Sequence, residues 1–234
     1  MSKKLKAVTF SYDDGVTQDI RLIEIFNKYN LKCTFNINSE LLGRKENVVL
    51  EGKTVNWSKV DKSDVKRIYQ GHEVAAHTLT HPSLKRLSDD EIVRQVEQDR
   101  LNISEIVGYD VVGMAYPGGT SFMDDRVKNL IENRTGIKYA RTTTSTFSFD
   151  LQEDLLAFNP TVYQHVDWDA MFELGQDFIE LNADKPQIFY IWGHAHEFDI
   201  HNTWDRFEKF CEMISNKSDI FYGTNAQCFG EFLK

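Results

Sequence analysis

Short apolar runs alternate with segments of helical spacing along nearly all 234 residues of this chain, and no other feature narrows its fold so far. The strand-like runs are V-T-F-S-Y at 8–12, L-K-C-T-F-N-I at 31–37, H-E-V-A-A at 72–76, residues 111–116, residues 138–142 and Q-I-F-Y-I-W at 187–192. Residues 161–166 and 219–222 read as further short strands. Helical spacing is expected over 17–29, 64–70, 88–107, 124–134, 168–181 and 203–214. The first of these has Thr17 as its N-cap and the third opens on an S-x-x-E capping box, Ser88 to Glu91. Apolar strands separated by helices imply a parallel sheet covered by helices on its outside. About seven such repeats in this length favour a closed or nearly closed arrangement, so the expected fold class is α/β, a distorted (β/α) barrel of about seven parallel strands.

No internal repeat, low-complexity tract or Pro/Gly/Ser linker divides the chain, and residues 1–234 read as one domain. Residues 41–63 lack periodicity and read as a long loop over one end of the fold. Residues 143–159, rich in Thr and Ser, read as an irregular loop anchored by Phe147, Phe149 and Phe158. The chain has 27 Lys plus Arg against 36 Asp plus Glu, a formal charge of -9, which argues against general binding to nucleic acid or an anionic membrane. No apolar run approaches the ~18 residues of a membrane span, and the basic start enters the first strand without the ~7–15-residue apolar core of an export signal, so a cytoplasmic protein is expected. Cys33, Cys211 and Cys228 are odd in number and widely spaced, which fits buried thiols better than disulfides or a thiolate metal site.

The polar clusters fall at the ends of the strand-like runs. Asp13-Asp14-Gly15 follows the first, His77-Thr78-Leu79-Thr80-His81 follows H-E-V-A-A, Tyr116-Pro117-Gly118-Gly119 closes 111–116, and Gly193-His194-Ala195-His196 follows Q-I-F-Y-I-W. Asp-Gly is also a common turn dipeptide and an isolated H-x3-H arises by chance, so neither decides anything alone. In a parallel barrel, however, the carboxyl ends of the strands share one face, which draws the four clusters together. Two adjacent ionised carboxylates repel, and a site that holds both supplies a cation to offset them. His77 and His81 would point the same way in a helical turn. Two imidazoles and one carboxylate suit Zn2+ or a similar divalent ion with open positions left on it.

On these motifs the chain resembles the polysaccharide deacetylase family, the NodB-homology or carbohydrate esterase family 4 group. The family's T-F-D-D-G is similar to Thr9-Phe10-Ser11-Tyr12-Asp13-Asp14-Gly15 with Ser11 and Tyr12 inserted, and its H-[ST]-x-x-H is met in full at 77–81. The similarity runs from about Leu5 to Trp192 and beyond. It implies a NodB-like barrel, with Asp14, His77 and His81 holding one divalent ion, Zn2+ foremost and Co2+ or Ni2+ acceptable to the same donors. It also implies Asp13 as general base and His194, in the position of the family's L-x-H, as general acid, with His196 as its competitor. Trp192 takes the place of the apolar residue near the acetyl methyl. Tyr116, Pro117 and Gly118 form the substrate-side loop, where a backbone N–H serves the oxyanion.

Two departures stand out. Many members carry Arg two residues before the third-motif proline, where this chain has Ala115; Arg141, at the end of the next strand, is the candidate to reach Asp13 instead. For the acid histidine's supporting Asp, only Asp167-Trp168-Asp169 offers a counterpart. A bulge in the first strand is expected to absorb Ser11 and Tyr12. The resemblance implies a metal-dependent hydrolase removing an acetyl group, N-acetyl ahead of O-acetyl, from an acetylated mono- or oligosaccharide. Hydrolysis of another small amide on the same fold, and a non-catalytic carbohydrate-binding relative, are the rival readings. No Gly-x-Ser-x-Gly elbow supports a serine esterase.

Overall fold

Strand β1 (Lys6–Asp13) is buried at every position and lies well inside the sheet, with neighbours on both sides. The structure, a computed structural model, describes residues 4–232. Its other strands are β2 (Cys33–Ile37), the hairpin pair β3 (Asn47–Leu50) and β4 (Lys53–Asn56), β5 (Glu73–Ala76), β6 (Gly113–Ala115), β7 (Tyr139–Arg141), β8 (Val162–Tyr163), β9 (Gln187–His194) and β10 (Ile220–Tyr222). All but the hairpin join one parallel sheet in the order β7-β6-β5-β2-β1-β9-β8, with β10 beside the start of β1. The ends of this order approach each other: Phe158 N–H donates to Ala140 O of β7 (3.0 Å) and Thr142 N–H to Phe158 O (2.9 Å), while β8, a few residues on, pairs with β9. The sheet thus curls into the distorted α/β barrel that the alternating pattern implies, seven strands around its path with β10 as an eighth.

Alternation along β1 divides its side chains between two environments. Phe10 and Tyr12 enter the helix layer, where Phe10 lies 4.8 Å from Phe26 and Tyr12 6.0 Å from Phe207, ring to ring. Truncating a buried ring of this kind costs about 3–5 kcal/mol, so the aromatic layer is a main support of the strand. Ser11 and Asp13 face the opposite way, towards Asn36 and Arg141. The expected bulge is absent. Register with β9 runs unbroken from Lys6 opposite Gln187 to Asp13 opposite His194, so nothing in β1 sets Ser11 and Tyr12 apart as inserted residues.

The helices are α1 (Asp19–Lys28), α2 (Val65–Ile68), α3 (Asp89–Val93), α4 (Asp99–Val107), α5 (Asp125–Arg134), α6 (Trp168–Glu180), α7 (Glu197–His201), α8 (Trp204–Ile214) and α9 (Asn225–Gln227). Helix α1 starts later than its sequence suggests: Gln18, not Thr17, is the N-cap, and its side chain makes no capping bond. The segment 88–107 is helical throughout but passes through a π turn at Arg94–Gln98. Ser88 caps it by accepting from Glu91 N–H, whereas the Glu91 carboxylate pairs with Arg94 and does not complete a capping box.

The 41–63 stretch is more ordered than its sequence suggests. It holds the β3–β4 hairpin, turned at Glu51 and Gly52, both with positive φ (51° and 76°), the geometry of a type I′ turn. Its strands are short and mostly exposed, and Glu-Gly lacks the usual Asn-Gly or Asp-Gly signal, which is why apolar patterning does not reveal it. The three cysteines are buried and unbridged. No described helix is long and apolar enough to cross a membrane.

Candidate active site

Three side chains from two strand ends converge. The chain leaves β1 with Asp14 at φ 82°, and leaves β5 with Thr78 and His81 at φ 67° and 61°. Such left-handed conformations are uncommon outside glycine and cluster at functional sites. They, and not the helical turn expected for H-T-L-T-H, aim the two imidazoles at one point, since 77–81 is irregular backbone. Asp14 Oδ1 lies 3.8 Å from His77 Nε2 and 3.8 Å from His81 Nε2, and the three residues offer ligand atoms that all lie within 4.8 Å of one another.

His77 shows that this group fits a metal ion. Its Nδ1–H donates to Ala115 O at 2.8 Å, which leaves Nε2 with a lone pair facing Asp14. That nitrogen is buried and has no hydrogen-bond partner. Burial drives the His77 pKa down to about 4, so the ring is neutral and ready to donate the pair. Asp99, itself buried, accepts from both His77 N–H and Ser39 N–H (2.9 and 2.8 Å) and fixes the backbone where it leaves β5.

Asp13 has different partners. Arg141 Nη2 donates to its Oδ2 and Asn36 Nδ2 donates to Oδ1 at 2.8 Å. Burial raises the Asp13 pKa, but the Arg141 guanidinium, with the protonated His194 behind it, outweighs burial and the net shift is downward, leaving an ionised carboxylate. Arg141 is buried, bonds Ser11 Oγ and Thr142 O with its other nitrogens, and lies 4.4 Å over the Trp192 ring. Asp14 is also lowered: burial opposes ionisation, and the Lys59 ammonium, 3.9 Å from Oδ2, leads the groups that overcome it.

At the end of β9, His194 Nδ1–H donates to Glu197 Oε1 at 3.1 Å, and its backbone N–H donates to Glu197 Oε2. Tyr163 Oη donates to the same carboxylate, and its ring stacks on Trp192 at 4.2 Å. Burial works against a charged His194, but Glu197 prevails and the pKa is pushed up to about 9. His196 is held down at about 4 by burial and by the neighbouring His194, so of the two rings, 5.3 Å apart, only His194 is charged at neutral pH. Asp167 is not the partner of His194: it accepts from Ser145 Oγ and Tyr163 N–H. In the third-motif loop, Tyr116 N–H pairs with Arg141 O and Gly119 N–H with Tyr116 O, and Pro117 has none, which leaves Gly118 N–H as the donor the loop can offer. The Tyr116 side chain points elsewhere, its hydroxyl donating to Leu156 O at 2.8 Å.

A family model described as polysaccharide deacetylase matches residues 1–140, more than half of the sequence. The chain belongs to the polysaccharide deacetylase family. Chitin deacetylase 1 of Cryptococcus neoformans is 29% identical over 122 residues, which are 51% of this chain but only 22% of that protein's length. Among solved structures, the carbohydrate esterase family 4 domain of a multidomain xylanase from the hindgut metagenome of Trinervitermes trinervoides aligns over 97% of this chain and 90% of its own, with TM-score 0.60 and 17% identity. A mutant family 4 pseudoenzyme with restored enzymatic activity aligns over 98% and 69%, with TM-score 0.57 and 18% identity. At these identities the structural likenesses speak for the fold alone.

Within the family fold, three contributors lie outside the motifs read from the sequence. Glu197 sits in the five-residue helix α7, too short to show periodicity. Lys59 lies in the aperiodic 41–63 stretch, where an antiparallel bridge to Val16 brings it to Asp14. Asn36, a polar residue inside a buried strand, was the one legible hint, since a buried amide needs partners.

Proposed function

We propose that this chain is a metal-dependent deacetylase acting on an acetylated mono- or oligosaccharide, N-acetyl ahead of O-acetyl, with 1–234 working as one catalytic domain. The observation that carries this reading is the division of labour between Asp13 and Asp14. Asp14 Oδ1 lies 3.8 Å from both imidazoles, one with an orphaned lone pair, while Asp13 is hydrogen-bonded by a guanidinium and an amide and approaches only His77, at 4.0 Å. A fold kept only for binding has no need of that asymmetry.

Asp14, His77 and His81 would hold the ion, with Zn2+ foremost among those that accept such donors. When bound, it supplies Lewis acidity that makes water nucleophilic near neutral pH and polarises a carbonyl. Asp13, ionised and oriented by Arg141 and Asn36, takes the proton of the attacking water. Gly118 N–H is the loop's donor for the tetrahedral oxygen. His194, protonated on both nitrogens, keeps Nδ1 on Glu197 and delivers the Nε2 proton to the departing amine. Trp192, packed between Arg141 and Tyr163, walls the acetyl side.

The direct test is acetate release from a panel of N- and O-acetylated mono- and oligosaccharides, with metal analysis on the same sample. Release that stops on chelation and returns with Zn2+ is expected. Release of formate or ammonia from small amides in its place would move the protein to the rival amide chemistry. Glu197→Gln provides a second check. An acid must be protonated, so activity is present below the His194 pKa and lost as pH rises through it. Removing the Glu197 charge should move the alkaline limb of kcat/KM down by about 1–3 units, the effect of one adjacent charge. An unmoved limb assigns the acid elsewhere.

A further inference from the structure

A second constellation of ligand atoms lies outside the Asp14 group. Glu51 at the hairpin tip, His165 just after β8 and His201 at the end of α7 offer one ligand atom each, all within 4.8 Å of one another. The His165 and His201 rings lie 4.1 Å apart and 27° from parallel, and His201 Nε2 is 3.6 Å from Glu51 Oε1. That separation exceeds a hydrogen bond, and His201 Nε2 is buried without a partner. An unpaired buried nitrogen is a cost that this arrangement carries for no structural return. Glu51 adds an oddity, since it occupies a left-handed turn position, φ 51°, where Asn, Asp or Gly is usual.

We infer that Glu51, His165 and His201 form a second metal site, for a borderline divalent ion such as Zn2+. Two imidazoles and a carboxylate are a ligand set such ions accept, with water completing the sphere. As placed, the two rings stack, so binding one ion through both requires the His165 ring to turn out of that stack. The three ligands come from separate elements, so the ion acts as a fastener between them. The hairpin is already tied to α7, by Lys53 Nζ donating to Ile200 O at 2.5 Å and by Gln18 Nε2, which donates to Asn56 O and Asp199 Oδ2 at 2.7 and 2.9 Å. Past the hairpin, the same segment delivers Trp57 beside His196 and Lys59 beside Asp14. Occupancy of the second site therefore holds in place the flap that carries Lys59.

The inference does not depend on the reaction, and metal counting separates the two sites. The protein, stripped with chelator and titrated with ZnCl2 by calorimetry, should take up two ions per chain. Asp14→Ala should take up one, and so should the double variant His165→Ala/His201→Ala, with a melting profile confirming that each is folded. Glu51→Gln changes an exposed side chain and leaves folding untouched. It should weaken the second ion by at least about 10–100-fold, the cost already seen for residues that merely support a ligand. One ion in the unaltered protein, two in the double variant, or unchanged affinity in Glu51→Gln would each overturn the assignment.

Discussion

Asp14→Ala is expected to abolish acetate release together with the ion held beside His77 and His81, whereas Asp13→Asn is expected to keep that ion and still lose turnover. The two residues are adjacent, equally buried and both ionised, so a purely local argument gives them the same weight. Their partners differ. Asp14 Oδ1 is 3.8 Å from both imidazoles, and removing it leaves two ring nitrogens without an anionic donor to hold a dication. Asp13 has both oxygens engaged by Arg141 and Asn36, and its asparagine form preserves the shape while losing the basicity. General-base assistance contributes about 10²–10⁴-fold, and a fall of that size in kcat with unchanged metal content is the result to look for. Equal metal loss in the two variants would mean that the pair divides its work in some other way.

Arg141→Met should be the most disruptive change away from the metal ligands. The guanidinium is buried and its removal strands the Asp13 carboxylate without a counter-charge. Breaking a buried pair from one side costs about 3–5 kcal/mol, a large part of a typical domain's stability. The sign of the pH effect follows from the causes of the Asp13 shift. With Arg141 gone, burial is opposed only by weaker charges and the Asp13 pKa rises, so the base form, and with it activity, is lost at a higher pH than before. The acid limb of the rate profile should move upward and the urea midpoint should fall. Arg141→Lys keeps a charge but not the fork that reaches Asp13, Ser11 and Thr142 together, and should lie between the two. A variant as stable as the parent with the same acid limb would remove Arg141 from the site.

The barrel was legible because its strands are apolar enough to stand out singly. Runs such as 187–192 have no plausible place but a buried parallel sheet, and once the sheet is parallel the four polar clusters must share a face. That reasoning also placed Arg141 near Asp13, since β6 and β7 are neighbours. What stayed hidden depended on backbone geometry that composition does not encode. The same-side aim of His77 and His81 comes from left-handed Thr78 and His81, not from helical spacing. The support of His194 by Glu197 requires the chain to turn at once into α7, and the sequence offered Asp167, which is used elsewhere. Lys59 reaches the site from just beyond a hairpin whose strands are too polar to announce themselves.

The unbroken β1 bears on how such a strand can change length. Its side chains alternate between the aromatic layer, which takes Phe10 and Tyr12, and the site, which takes Ser11 and Asp13. Two additional residues preserve that parity; one would exchange the faces and send Asp13 into a wall of phenylalanines. Lengthening by a pair therefore keeps every side chain on its own face and moves the carboxylates one full pleat repeat along the strand. Relatives that keep the Asp pair should vary in this strand only by even steps, so that the count of residues before Asp-Asp records a constraint that no single position reveals.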